Sequence, residues 1–267
     1  MRSSSANILI SLWVLAFYVF LMVPILIIVA ISFTSSYSVD FPPAGFSLRW
    51  FDYIMNRKEM VNAFWISVTI AAITSVVSLI LGLLSSLAIV RFKFPGKSSL
   101  ESLFMAPATL PTVILGVALL QFFSVAGVGD SFNRLVLGHV IIAIPFTLRS
   151  ISASLYGFDR SLEEASLVLG SNHLKTFYKI VLPVIKPGII VAVIFAFIAS
   201  FDNFTISMFL INANTVTLPV RILTYLEWQF DPSVAAISTV LIALTFIVIM
   251  LLEKAVGLGN ARMVRMS

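Results

Sequence analysis

One acidic side chain, Asp202, falls inside the fifth long apolar run of this sequence. With a helical rise of 1.5 Å per residue from Pro187, it lies about 20 Å into that run, where an ionised carboxylate is costly and marks a pathway or a paired partner. Phe201 and Phe204 flank it, and aromatic faces beside a carboxylate suit an alkylammonium group. The predicted chemistry is recognition of an amine. The alternative is a cap on a broken helix or a pair with a residue of another subunit.

Nucleotide, thiolate and metal chemistry find little support in the sequence. A phosphate-binding P-loop requires G-x4-G-K-[ST], and Gly96-Lys97-Ser98 has Arg91 where the first glycine belongs. The chain has no cysteine, and His139 and His173 are too far apart to suggest a metal pair. No two residues suggest a catalytic dyad. We therefore expect no catalytic residue, no metal and no cofactor in this chain.

A polar loop between the fourth and fifth apolar runs carries regularly spaced residues. They read E-A-S-x3-G-x9-I-x-L-P and comprise Glu164, Ala165, Ser166, Gly170, Ile180, Leu182 and Pro183. Ser161 and Glu164 have capping-box spacing, which predicts a helix start. Asn172 predicts a second N-cap, for a helix that Pro183 interrupts.

The residue types in the same loop suit a contact that transmits movement from a partner protein. A short helix presenting Ala165, Leu169 and Gly170 has a low profile that can seat in a groove of a partner, and Glu164 supplies a charge that sets the register. Pro183 stiffens the connection to the fifth run, so that movement of the docked helix is transmitted to the membrane helices. A solvated basic loop is the plainer alternative.

The composition is that of a polytopic membrane protein. With 60% hydrophobic and 11% charged residues and a mean hydropathy of +1.06, the chain has more apolar residues than a soluble domain of 267 residues can bury. A spanning helix needs about 20 apolar residues. Six spans are predicted in a single domain covering residues 1–267, at residues 8–33, 63–90, 100–125, 134–155, 187–210 and 234–253.

The distribution of lysine and arginine predicts the orientation, because short basic loops stay in the cytoplasm. The basic residues gather near Arg2, near Arg91, in the loop 156–186 and near Lys254, which places both termini and that loop inside. The net charge of +5 is then an orientation signal, and no nucleic-acid partner is expected.

The spaced loop resembles the EAA loop of permease subunits in binding-protein-dependent (type I) ABC importers. The resemblance implies an all-α membrane protein of the bacterial inner membrane, with six transmembrane helices and a cytoplasmic coupling helix. It also implies two ATPase subunits that bind ATP and Mg, a second homologous permease subunit and a periplasmic binding protein. The residues implied to couple to the ATPase are Glu163, Glu164, Ala165, Leu169, Gly170, Ile180, Leu182 and Pro183.

Within that superfamily the chain resembles the permeases for polyamines and their opine and aminoethylphosphonate relatives. The matching stretches include residues 41–51, Leu110-Pro111, Gly138-His139 and residues 200–203. This implies import of a small amine such as putrescine or spermidine. The implied pathway residues are Asp202, Asn203, Phe201, Phe204, Thr112 and Trp50.

The sequence departs from the polyamine pattern at two of these positions. Polyamine carriers often have acids where this chain has Asn203 and Thr112, so a monoamine or zwitterion remains an alternative. Outside the class, a secondary transporter would favour inverted repeats or an ion relay.

Overall fold

The computed structural model describes residues 3–256, and these residues are almost entirely helical. Twelve α-helices are present in this part of the chain, and a single π-helical turn, Phe177–Val181, precedes the ninth. An isolated antiparallel bridge joins Thr34 and Phe46. The helices are α1 Ser3–Ser32, α2 Arg49–Asn56, α3 Lys58–Arg91, α4 Lys97–Thr109, α5 Thr112–Val125, α6 Ser131–Tyr156, α7 Ser161–Val168, α8 His173–Thr176, α9 Leu182–Phe201, α10 Phe204–Leu210, α11 Leu218–Trp228 and α12 Ser233–Val256.

The described residues form two compact units. The first comprises residues 3–61 and 222–247, and the second comprises residues 62–221 and 248–256. The predicted single domain therefore stays a prediction.

In the first unit, α1 is a 30-residue helix whose apolar side chains, Trp13 and Phe20 among them, are largely exposed. Such a surface suits hydrocarbon. The unit also has a small core, in which Trp50 and Ile54 of the short helix α2 pack with Ala236 and Ile237 of α12. Residues 34–47 and α2 follow α1 directly along the chain.

The second unit is built around α6, which packs along α9. Small residues allow this close approach, because a Cβ atom at Gly188 would collide with Ser154. One core cluster, with Ile70, Leu135 and Leu210 among its members, lies on one part of α6, and another, with Ile151 and Val181, lies farther along.

Five described helices are long and apolar enough to cross a membrane, and a sixth crossing results if α4 and α5 count as one span. The structure differs from the predicted spans at two places. The third span is not straight, because α4 ends before Leu110-Pro111 and the axes of α4 and α5 differ by 110°. Proline has no N–H to continue the helical hydrogen bonds. The fifth span begins earlier than Pro187 and is interrupted at Asp202 and Asn203.

Candidate functional site

Helix α7, which is the predicted docking helix, begins with a carboxylate cap. The Ser161 N–H donates to Oδ1 of Asp159 at 2.9 Å, and this backbone hydrogen bond, together with one from the Ser161 side chain, lowers the pKa of the Asp159 carboxyl. The predicted capping box of Ser161 and Glu164 is therefore wrong. Ser161 already lies inside the helix, preceded by Arg160, whose side chain makes no capping hydrogen bond.

The two glutamates of α7 have different surroundings. Nη1 of Arg91, the last residue of α3, lies 2.7 Å from Oε1 of Glu163, and both side chains are about one-fifth exposed, at 21% and 18%. Glu164 and Ala165 are exposed. Of the predicted coupling residues on this helix, Glu163 thus holds the loop to its own membrane helix, while the next two face outward.

Beyond α7 the chain turns and presents apolar side chains to its surroundings. Val168 and Leu169 are each 87% exposed, and Leu174 is 71% exposed. Gly170 makes the turn with φ of +82°, a left-handed conformation that favours glycine, and nothing lies within 4 Å of where its Cβ would be. Large exposed apolar side chains around a loop of this length form a surface suited to another protein.

The second half of the loop is tied to the first and leads into α9. Asn172 accepts the Lys175 N–H at 2.8 Å, so the predicted second N-cap is confirmed. The hydroxyls of Ser166 and Thr176 lie 3.0 Å apart. Pro183 does not interrupt the helical segment His173–Phe201, in which the π-helical turn Phe177–Val181 lies just before it.

Three predicted coupling residues lie beyond this point and face different ways. Ile180 and Leu182 are half-buried beside the fully buried Val181, and Pro183 is exposed. The exposed members of the predicted coupling set before and at the Gly170 turn are therefore Glu164, Ala165, Leu169 and Gly170.

The fifth span breaks at Asp202. Asp202 follows α9 with φ of −89° and ψ of 1°, and Asn203 then caps α10 by accepting the Ile206 N–H at 2.8 Å. The Asp202 side chain is exposed and makes no hydrogen bond or ion pair with the described part of the chain. The carboxylate thus stands at the carboxyl end of a 20-residue helix.

Aromatic rings stand on one side of this break. Phe201 stacks on Phe197 with 5.7 Å between ring centroids and meets Phe64 edge-on at 6.1 Å. Phe201 and Phe204 are both half-buried. Phe201 and Phe204 flank Asp202 along the chain, and their grouping with its carboxylate as an amine site stays a prediction.

A buried histidine, which sequence reasoning did not place in the site, contacts both sides of the same break. Nδ1 of His139 lies 2.8 Å from Oγ of Ser200, and Nε2 lies 3.1 Å from Oγ of Ser207. No local pattern in the sequence indicated these contacts, because Ser200 and Ser207 lie on different helices on either side of the break.

The third span contributes the segment that packs beside α10. A Cβ atom at Gly116 of α5 would collide with the ring of Phe209, so α5 and α10 approach closely. Thr112 is the first residue of α5 and is exposed. The two segments that follow a helix break are therefore neighbours.

Trp50 lies in the first unit, whereas the other predicted pathway residues lie in the second. It is 3% exposed, and its Nε1–H donates to the Ser36 carbonyl at 3.2 Å. A cavity of about 600 Å³ adjoins it, with the Arg49 guanidinium 3.8 Å from the centroid of the Tyr37 ring at its edge. The indole of Trp50 thus anchors the segment between α1 and α2.

Residues 78–257, which include the predicted docking loop (residues 156–186) and both helix breaks, match the family described as "Binding-protein-dependent transport system inner membrane component". The chain belongs to this family. It is therefore a multi-pass component of the bacterial inner membrane that serves transport, and the predicted fold class of an all-α importer permease is confirmed. No cluster of His, Cys, Asp and Glu in the described residues could hold a metal ion.

Two relatives from the curated proteins cover most of this chain. The spermidine/putrescine transport system permease protein PotC of Haemophilus influenzae is 30% identical over 244 residues, which are 91% of this chain and 94% of that protein. The putrescine transport system permease protein PotI of Escherichia coli K12 is 33% identical over 238 residues, which are 86% and 84%.

Solved structures share the fold. A chain of the bacterial alginate ABC transporter, in complex with an alginate pentasaccharide-bound periplasmic protein, has a TM-score of 0.73 at 14% identity and covers 95% of this chain and 94% of its own length. A chain of the MetNI methionine ABC transporter has a TM-score of 0.59 at 19% identity, covering 80% and 96%. At these identities the likeness concerns the fold alone.

Proposed function

We propose that this chain is a permease subunit of an ATP-driven importer that carries a small organic amine, foremost a polyamine such as putrescine or spermidine, into the cytoplasm. The family supports the transport role, and two relatives that cover most of the chain are named for spermidine and putrescine. In the assembly, two ATPase subunits hold ATP and Mg, a second permease completes the pathway, and a periplasmic protein delivers the substrate.

The docking loop is the proposed contact with an ATPase subunit. Leu169 and Val168 supply exposed apolar area, Glu164 supplies an unpaired charge, and Gly170 turns the chain so that both lie on one loop. The ion pair of Arg91 with Glu163 links this loop to α3. Both termini and the loop then lie in the cytoplasm, as the basic residues indicate.

The break after α9 is the proposed amine contact, and the unpartnered carboxylate of Asp202 is the observation that carries it. Broken membrane helices place helix ends and unwound backbone at transport sites, and the carboxyl end of a helix attracts positive charge. Asp202 adds a full negative charge at that end, while Phe201 and Phe204 supply aromatic surface for an alkylammonium. Thr112 and Asn203 line the pathway in this proposal.

A monoamine or a zwitterion is the second candidate substrate. The side chain of Asn203 is uncharged and caps α10. Asp202 is therefore the negatively charged residue at the break. One carboxylate can pair with a substrate that has a single ammonium group, and an opine or aminoethylphosphonate is such a substrate.

Uptake into vesicles that contain the complete complex tests the proposal. We expect Asp202→Asn to assemble with the ATPase normally and to lower putrescine uptake at least about tenfold, since a charge contact of 1.4 kcal/mol or more is lost. The matched control is Asp130→Asn, because Asp130 is an acid that caps α6 instead of standing at a break. Wild-type uptake by Asp202→Asn would remove Asp202 from the pathway.

A further inference from the structure

His139 joins the two segments that the break in the fifth span separates. The side chain is 1% exposed, and each ring nitrogen faces a hydroxyl, with Ser200 in the last turn of α9 and Ser207 in α10. Asp202 and Asn203 lie between these two serines. A ring on α6 thus spans the break from the side.

The donor and acceptor in each hydrogen bond of His139 can be assigned from the hydrogen bond that Ser207 makes with the backbone. The Ser207 hydroxyl donates to the Asn203 carbonyl at 2.6 Å, so its oxygen is left to accept from Nε2–H of His139. A neutral imidazole with its proton on Nε2 has an acceptor at Nδ1, to which the Ser200 hydroxyl donates. The series therefore runs from Ser200 through the ring and Ser207 to the backbone of the break.

Close packing of α6 against α10 holds the imidazole ring of His139 in position. A Cβ atom at Gly138, beside His139, would collide with the side chain of Leu210, so α6 and α10 are in close contact here. Ile206 is fully buried. Removing the ring would leave two buried hydroxyls short of a partner, in a region where unsatisfied polar groups are costly.

We propose that His139 is a positioning residue for transport, which holds the break through Ser200 and Ser207 so that the Asp202 carboxylate faces the translocation pathway. The inference rests on the proposed function of Asp202. Its geometric content can be tested separately: Asp202 is exposed and Ile206 four residues later is fully buried, and by this proposal the contacts of His139 maintain that difference.

Thiol labelling in the assembled complex tests the geometry, because the chain has no cysteine of its own. Asp202→Cys and Ile206→Cys are made separately and treated in membrane vesicles with a charged maleimide. With His139 present, the thiol at 202 should react and the thiol at 206 should be protected. With His139→Leu, which removes two buried hydrogen bonds, the ratio of the two rates should fall about fivefold or more, since even one such bond of about 1 kcal/mol gives a fivefold change.

Conservative variants separate positioning from general stability. His139→Asn keeps an acceptor near Ser200 and His139→Gln keeps a donor near Ser207, so each should give an intermediate ratio. The control is Ser86→Ala, which removes hydrogen bonds elsewhere, those of Ser86 with the Leu148 carbonyl and the Ser152 hydroxyl, and should leave the ratio unchanged. If His139→Leu fails to accumulate, Ser207→Ala keeps the ring but removes its Nε2 contact, together with the hydrogen bond from Ser207 to the Asn203 carbonyl.

The outcomes distinguish this inference from the proposed function. An unchanged labelling ratio in His139→Leu or Ser207→Ala overturns the positioning role. In chains that keep Asp202, His139→Leu should lower uptake about tenfold while the co-purified ATPase stays constant. A lowered ratio together with normal uptake by Asp202→Asn would show that the proposed pathway fails while the geometric role of His139 stands.

Discussion

The guanidinium of Arg91 and the carboxylate of Glu163 form an ion pair with 2.7 Å between Nη1 and Oε1, across 72 residues of sequence. The pair connects the end of α3 to α7, the predicted docking helix. Arg160 adds a second link, since its Nη2 lies 3.4 Å from the Val90 carbonyl oxygen. The docking helix is thereby attached to two membrane helices, α3 at this end and α9 through the π-helical turn.

Reversing one charge of this pair should loosen the docking helix. We expect Arg91→Glu and Glu163→Arg each to lower the uptake per ATP hydrolysed several-fold, because an ion pair of roughly 1 kcal/mol is replaced by repulsion. The double exchange should recover most of the loss. Glu164→Arg is the control, since Glu164 is exposed and Arg91→Glu should not rescue it. Failure of the double exchange to recover coupling would contradict the structural role of the pair.

The turn at Gly170 offers a test with a closely matched control. Gly170→Asp should abolish co-purification of the ATPase and leave membrane insertion intact, because it costs about 1–2 kcal/mol of left-handed strain and adds a charge to the docking surface. Gly96 has φ of +83° and equally open surroundings in another turn. Gly96→Asp should bear the same strain and retain the ATPase, so equal behaviour of the two variants would count against a specific docking role.

The cap of the docking helix depends on the ionised carboxylate of Asp159. Hydrogen bonds from Ser161 lower its pKa below the ordinary 3.8, so the contribution to stability is complete above that value and is lost as the pH falls through the lowered pKa. We expect Asp159→Ala to speed amide hydrogen exchange in α7 by the same factor from pH 6 to pH 8. Asp159→Asn retains an acceptor and should exchange more slowly than Asp159→Ala. Equal exchange in the native chain and Asp159→Ala would rule out the cap.

The close contact of α5 with α10 predicts a steric effect. Gly116→Val should lower the thermal unfolding midpoint of the detergent-solubilised complex, since a side chain forced against Phe209 costs typically about 1–3 kcal/mol. Gly129→Val is the control, because nothing lies within 4 Å of a Cβ at Gly129. Similar midpoints for both variants would mean that α5 and α10 are not tightly packed.

Local features of the structure could be predicted from the sequence because they depend on neighbouring residues. Long apolar runs predicted the membrane helices, and Asn172 predicted the cap that Lys175 donates to. The cap at Asp159 was missed, since Ser161 and Glu164 had equally suitable spacing and only backbone geometry distinguishes the two. The break at Asp202 was recognised as an alternative, although the residue that caps α10 is Asn203.

The sequence by itself determined that this chain lies in a membrane and carries a polar loop with a helix cap at Asn172 and a turn at Gly170, because hydropathy and turn-forming residues act over a few positions. Only the tertiary structure decided that Glu163 faces Arg91 while Glu164 faces outward. It also decided that His139 meets Ser200 and Ser207, which are 61 and 68 residues away. These contacts depend on which helix faces pack together, and the packing of distant helices is set by close approach at small residues and not by local pattern.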